Sequence, residues 1–164
     1  LKYLAYLCAF LLISLPVIAQ EKQDSIDWDG TEQNVFINLY SSSNDIQAGE
    51  EIEIVIEQVL RPHWHTYWKN PGDSGEPMKA TWSLPEGFTT SEISWPTPIG
   101  LPFDPLLNYG FEGEPKMIQT ITAPDPLPIG LISIPVRFDI LVCKEISLYS
   151  SAFKISLRST NCLS

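Results

Sequence analysis

The 164-residue chain has little of several things. It has only three cysteines, two histidines and ten basic residues, against twenty acidic ones. The net charge of −10 argues against nucleic acid and anionic lipid as partners, because both repel an acidic surface. Three cysteines are too few for a disulfide scaffold. No internal repeat and no low-complexity tract appears, and beyond the N-terminus there is no long helical period. The one long apolar run, Leu4 to Val17, is broken only by Ser14 and Pro16. It falls short of the ~20 residues that a spanning helix needs.

That run has another reading. Lys2 precedes it, Val17-Ile18-Ala19 closes it with small residues, and polar "QEKQDS" follows. This is the pattern of an export signal, cleaved after Ala19. Residues 1–19 are therefore expected to be a signal peptide and residues 20–164 a single domain. The signal takes one basic residue and no acidic one, leaving a mature charge of 9 − 20 = −11. Cys8 leaves with it, so Cys143 and Cys162 remain.

What is present is β-forming. "VFINLY" (35–40), "EIEIVIEQ" (51–58), "HWHTYW" (63–68), "KATWSL" (79–84), "KMIQTITA" (116–123), "LISIPVRFDILVC" (131–143) and "AFKISL" (152–157) are rich in β-branched and aromatic residues, and several alternate apolar with polar. Pro/Gly-rich turn signals separate them. Seven or so short strands at this spacing predict an all-β fold, an immunoglobulin-like antiparallel β-sandwich. The antibody Cys–Trp–Cys spacing is absent, so the likeness is one of shape. Pro135 is expected to break the 131–143 segment or to mark an edge.

Three stretches stand out. "RPHWHTYWKNPGDSGEP" (61–77) concentrates two histidines and three aromatics on one expected strand. Period two would put His63, His65 and Tyr67 on one face, with Trp64 and Trp68 turned to the core. His-x-His is also a soft-metal pattern, but two imidazoles are too few for a tight site. "WPTPIGLPFDPLLNYGFEGEP" (95–115) reads as a long Pro-rich loop, apolar at Leu106, Leu107, Tyr109 and Phe111, which either packs on its own domain or covers something. "FDILVCKEISLYSS" (138–151) ends a strand on Cys143, next to Lys144. A thiol at a strand end is open to a partner thiol, and a cation beside it favours the reactive form. The opposing reading is an inert core cysteine, since cysteine is among the most buried residue types.

Taken together, "HWHTYWKNPGDSGEP", "NYGFEGE" and "LVCKEI" resemble the periplasmic N-terminal domain of the DsbD group of thiol:disulfide interchange proteins, in the branch that contains ScsB. The resemblance runs from about Trp28 to Leu157. It implies an immunoglobulin-like domain that carries a redox-active cysteine pair under a cap loop, needs no cofactor, and exchanges disulfides in the periplasm. It also carries the family's link to cytochrome c biogenesis. The implied partners are periplasmic thioredoxin-like or other thiol proteins, together with the transmembrane and thioredoxin-like domains of a DsbD-type reductase. By resemblance Cys143 matches the first cysteine of the pair. Leu107, Asn108 and Tyr109, with Phe111 beyond them, match the cap, and His65 and Tyr67 the site wall. The second-cysteine position holds Ser147, which can neither form nor resolve a disulfide. Cys162 is then a candidate replacement, and Ser147→Cys is expected to restore a pair. Two other readings stay open. One is a redox-inactive binding module of the same fold. The other is a copper-responsive site of His63, His65 and Cys143, since Cu(I) favours soft sulfur with imidazole.

Overall fold

The computed structural model describes residues 33–144 in full and residues 146–159 as backbone. The expected signal peptide and Cys162 lie outside the described residues. All regular structure within them is strand, in chain order β1 (Val35–Ser41), β2 (Asp45–Ile46), β3 (Glu51–Leu60), β4 (Thr66–Gly72), β5 (Lys79–Trp82), β6 (Thr89–Thr90), β7 (Ile99–Phe103), β8 (Leu106–Phe111), β9 (Lys116–Thr122), β10 (Leu131–Cys143) and β11 (Ile146–Ser159). Among the described residues no helix is long and apolar enough to cross a membrane.

Two four-stranded sheets face each other. One has the order β1-β3-β9-β6 and the other β2-β11-β10-β5. Sequence alternation decides which side of each strand is buried. On β3, Ile52, Ile54 and Ile56 point inward, alternating with exposed Glu51 and Glu53 and half-buried Val55. On β9, Met117 and Ile121 do the same. On β10 the even positions from Ile132 to Val142 are all buried, with Phe138 fully so. These rows meet in one apolar core, against which Trp64, Trp68, Trp82 and Trp95 pack from the rim. The buried polar residues have partners, whereas Trp68 Nε1 and Ser133 Oγ are buried without a hydrogen-bond partner among the described residues. Thr66 donates to Gln58 at 2.7 Å. Trp82 donates to Gln119 at 2.9 Å, and Gln119 donates in turn to the Ser91 carbonyl at 2.7 Å. Glu57 accepts from Asn38 and Tyr40, each at 3.0 Å, and pairs with Lys116.

A third, three-stranded sheet has the order β4-β8-β7. It corrects the reading of residues 95–115 as a loop. Most of that segment is a hairpin, paired from Ile99↔Gly110 to Phe103↔Leu106 around Asp104-Pro105. Its prolines hide the pattern, but β7 is an edge strand, where a missing N–H costs no ladder bond.

Of the two arms of the expectation for Pro135, the break fails and the edge holds: β10 runs unbroken through thirteen residues, and its pairing with β5 ends at this residue. The Pro135 carbonyl accepts from Ser83 N at 2.8 Å, and the proline has no N–H to return the bond. His63 does not share the strand face of His65 and Tyr67. It sits exposed in the turn before β4, with a left-handed φ of 70°.

Phe138 fills the centre of the core, whereas Phe103 at the hairpin tip is 72% exposed. Phe138→Ala should therefore lower the unfolding free energy by about 3–5 kcal/mol through the cavity it leaves. Phe103→Ala should change it by no more than ~0.5 kcal/mol. Denaturant melts of the two variants check this ranking.

Candidate functional site

Cys143 ends β10 at an odd position. Along that strand the odd positions face away from the core. Leu131, Pro135 and Arg137 are exposed, and Ser133, Asp139 and Leu141 half-buried. Alternation alone would leave Cys143 open, yet it is only 6% exposed. It is not part of the core cluster. Its burial comes from the third sheet, which folds over the end of β10.

The join is a pair of reciprocal backbone hydrogen bonds. His65 N donates to Cys143 O and Cys143 N to His65 O, both at 2.9 Å. Two residues further on, buried Tyr67 sends its hydroxyl to the Cys143 side chain. The His65 Nε2 atom lies 3.3 Å from that same hydroxyl, and the two rings meet edge to face with centroids 5.3 Å apart. Burial raises the Tyr67 phenol well above its ordinary pKa, and the hydrogen bond to Cys143 and the charge Cys143 can carry add to the rise. Tyr67 therefore keeps its proton across the physiological range and acts as a donor. Burial pushes His65 in the other sense, below its ordinary value, with the Glu112 carboxylate opposing the shift.

The hairpin holds this arrangement through the turn after β4. Asp73 N donates to Leu107 O at 3.2 Å, and Leu107 N donates to the Asp73 carboxylate at 2.8 Å. Buried Asn108 accepts twice from Ser74, at 2.9 Å from its backbone N–H and 3.1 Å from its hydroxyl. The turn then passes Gly75 across the face of Tyr67. A Cβ at Gly75 would collide with the ring, and its φ of 90° is one that other residues rarely adopt. Asp73, Ser74 and Gly75 were visible in the sequence only as turn formers, though they lie inside the "NPGDSGEP" stretch. Glu112 gave no sequence signal.

The structure thus brings Cys143, His65 and Tyr67 together, with Leu107 and Asn108 one layer behind. Tyr109 is exposed on the hairpin. Phe111 points into the core and stacks on Trp95 at 6.2 Å. Among the described residues no three His, Cys, Asp or Glu side chains are grouped to hold a metal ion, so His63, His65 and Cys143 do not form such a cluster. The register sets Ile146 opposite Cys143, and Ser147 opposite Val142. Beside the site lies a groove of about 370 Å³, lined by Glu76, Met78, Lys79, Asp139 and Leu141 among others. Pro77, also on its wall, bridges to Tyr67.

Residues 38–149 match the family described as thiol:disulfide interchange protein DsbD, N-terminal. The fold is similar to the N-terminal periplasmic domain of ScsB from Proteus mirabilis, with a TM-score of 0.57 and 16% identity over 80% of this chain and 49% of that one. The chain thus spans about half the length of that structure. The yeast GGA1 GAE domain also aligns, at a TM-score of 0.36 and 11% identity over 73% of this chain and 87% of that one, too distantly to carry an argument. No curated protein matches the sequence.

Two measurements test this geometry. Directly opposed positions of an antiparallel pair have Cα atoms about 4.5–5.5 Å apart, inside disulfide range. On oxidation Ile146→Cys should crosslink to Cys143 more readily than Ser147→Cys, as read by mass spectrometry; the reverse order would contradict the register. The depressed His65 pKa carries a sign for stability. Its contribution is complete above the unfolded value of about 6.5 and is lost as pH falls from there toward the lower folded value, because only the unfolded chain takes up the proton in that window. His65→Gln should flatten the melting-temperature profile between about pH 6.5 and the onset of carboxylate titration.

Proposed function

The chain belongs to the DsbD N-terminal domain family, and from that premise we propose that it exchanges disulfides with periplasmic thiol proteins through Cys143. The observation that carries this reading is the position of Cys143. It lies outside the core, at a strand end, under a cover built from another sheet. A structural core cysteine needs no such cover. A redox thiol does, because shielding protects it from unselective oxidation until a partner opens the way.

The chemistry follows from the groups at hand. The Cys143 thiolate attacks a disulfide sulfur of the partner, a mixed disulfide forms, and the other partner sulfur leaves as a thiolate. The Tyr67 hydroxyl donates toward the Cys143 sulfur, and His65 steadies that hydroxyl from its other side. Access requires Tyr67 to move. The hairpin governs this movement, since Asn108 and Leu107 hold the turn that backs onto the Tyr67 ring. Export through residues 1–19 delivers the domain to the compartment of its family. Its partners there are thioredoxin-like proteins and the remaining domains of a DsbD-type reductase.

The test is a trapping experiment. Reduced wild type and Cys143→Ser are mixed with an oxidised periplasmic thioredoxin-like protein and run on non-reducing gels. A Cys143-dependent adduct is expected. Asn108→Ala should raise the rate of Cys143 alkylation by roughly tenfold, if loosening the turn costs the closed cover about 1.4 kcal/mol. No adduct, with Cys143 inert to alkylation until the domain unfolds, would replace this reading with a silent binding module.

A further inference from the structure

We propose that the mixed disulfide at Cys143 is resolved by a thiol from outside residues 20–164, and that the site therefore acts on mixed disulfides whose leaving thiol diffuses away. This inference rests on Cys143 being the exchanging thiol. It starts from strand geometry. β10 and β11 pair along their whole length, from Cys143↔Ile146 at one end to Leu131↔Arg158 at the other. Thirteen strand residues at about 3.3 Å each separate those ends by roughly 40 Å. Ser159 lies beyond Arg158, pinned by its pairing with Ile46. Cys162 is three positions further on. Three extended residues reach at most about 11 Å, and a disulfide needs Cα atoms within about 7 Å. Cys162 can reach Cys143 of its own chain only if at least about the last four residues of β11 leave β10 and the freed tail folds back fully extended along the sheet. Ser147 has no thiol, and neither does Ile146 opposite Cys143.

With no resolving thiol of residues 20–164 in reach while β11 stays paired, the nature of the substrate decides whether exchange is productive. Suppose the partner disulfide is internal to one protein. The thiolate released by attack stays tethered beside the new mixed disulfide, at an effective concentration on the order of millimolar. It attacks back, and nothing is achieved. If the disulfide instead joins a protein or peptide thiol to a separate small thiol, the released half leaves. The balance is then complete. Cys143 takes the small thiol and frees the protein thiol. A dithiol protein attacks the resulting mixed disulfide at the small thiol's sulfur, which returns Cys143 as thiolate. The second thiol of that reductant then closes its own disulfide and expels the small thiol. Two electrons pass from the dithiol to the substrate, and the domain is unchanged.

The experiment uses the full chain with glutathione disulfide as probe. Reduced wild type and Cys162→Ser are treated and followed by intact mass and peptide mapping. Both should carry one glutathione on Cys143 that persists until dithiothreitol is added. Loss of the adduct in wild type with appearance of a Cys143–Cys162 crosslink, absent from Cys162→Ser, would overturn the inference and leave the exchange reading intact. No adduct on folded wild type or on Asn108→Ala, whose loosened turn uncovers Cys143, would remove both. Turnover is then measured with dithiothreitol as reductant, taking the rate above that of Cys143→Ser. One substrate is a glutathione-blocked peptide and the other the same peptide closed by an internal disulfide. The blocked peptide should react at least roughly tenfold faster. Equal rates would overturn the substrate assignment.

Discussion

The site depends on two backbone hydrogen bonds between His65 and Cys143. They tie a strand of the third sheet to the end of a sandwich strand, where the side-chain pattern would otherwise leave the thiol open. Everything else near Cys143 is arranged from this join. It fixes His65 above the strand end, and period two then brings Tyr67 back to the same side, its hydroxyl on the sulfur. Thr66 between them is buried on the opposite side and anchored by its hydrogen bond to Gln58. The strand is held from the core side and reads out on the thiol side. A backbone join suits this role because its geometry does not depend on which side chains occupy the seam.

The cover differs in kind from the core beneath it. The core is held by apolar burial from three long strands and has no low-energy way to open. The cover is held by a few hydrogen bonds to an edge hairpin, which exposes Phe103, Leu107 and Tyr109 to solvent. A net hydrogen bond is worth about 1 kcal/mol, so a handful of them gives a closed state that a partner's contacts can outweigh. Elements of this sort populate the low-stability end of a fold, where local opening does not require the rest to unfold.

Sequence alone revealed the sandwich strands because both of their determinants are local. Ile52, Ile54 and Ile56, or the even positions of 132–142, state their buried face by period two without reference to anything distant. The hairpin was not legible because its prolines mask strand character, and they are tolerated only because β7 pairs on one side. His63 was misplaced because the residues around it are strand formers while its own backbone turns left-handed before β4 begins. The burial of Cys143 could not be read from its own segment at all. Alternation predicts the outward face, correctly, and the cover comes from residues some seventy-five positions earlier (143 − 67 = 76). Only the family resemblance linked "HWHTYW" to "LVCKEI" beforehand.

A strand pair also carries information about redox chemistry that composition does not. The count of cysteines leaves open a Cys143–Cys162 couple, and loop-closure entropy would charge little for so short a separation in a flexible chain. The β10–β11 ladder limits that freedom, because it sets Cys143 at one end and Arg158, four positions before Cys162, at the other. The same ladder brings the position after the β10–β11 turn directly across from Cys143, but that position holds isoleucine. For the exchange proposed at Cys143, the outcome of each reaction then passes to whether the leaving sulfur is tethered or free.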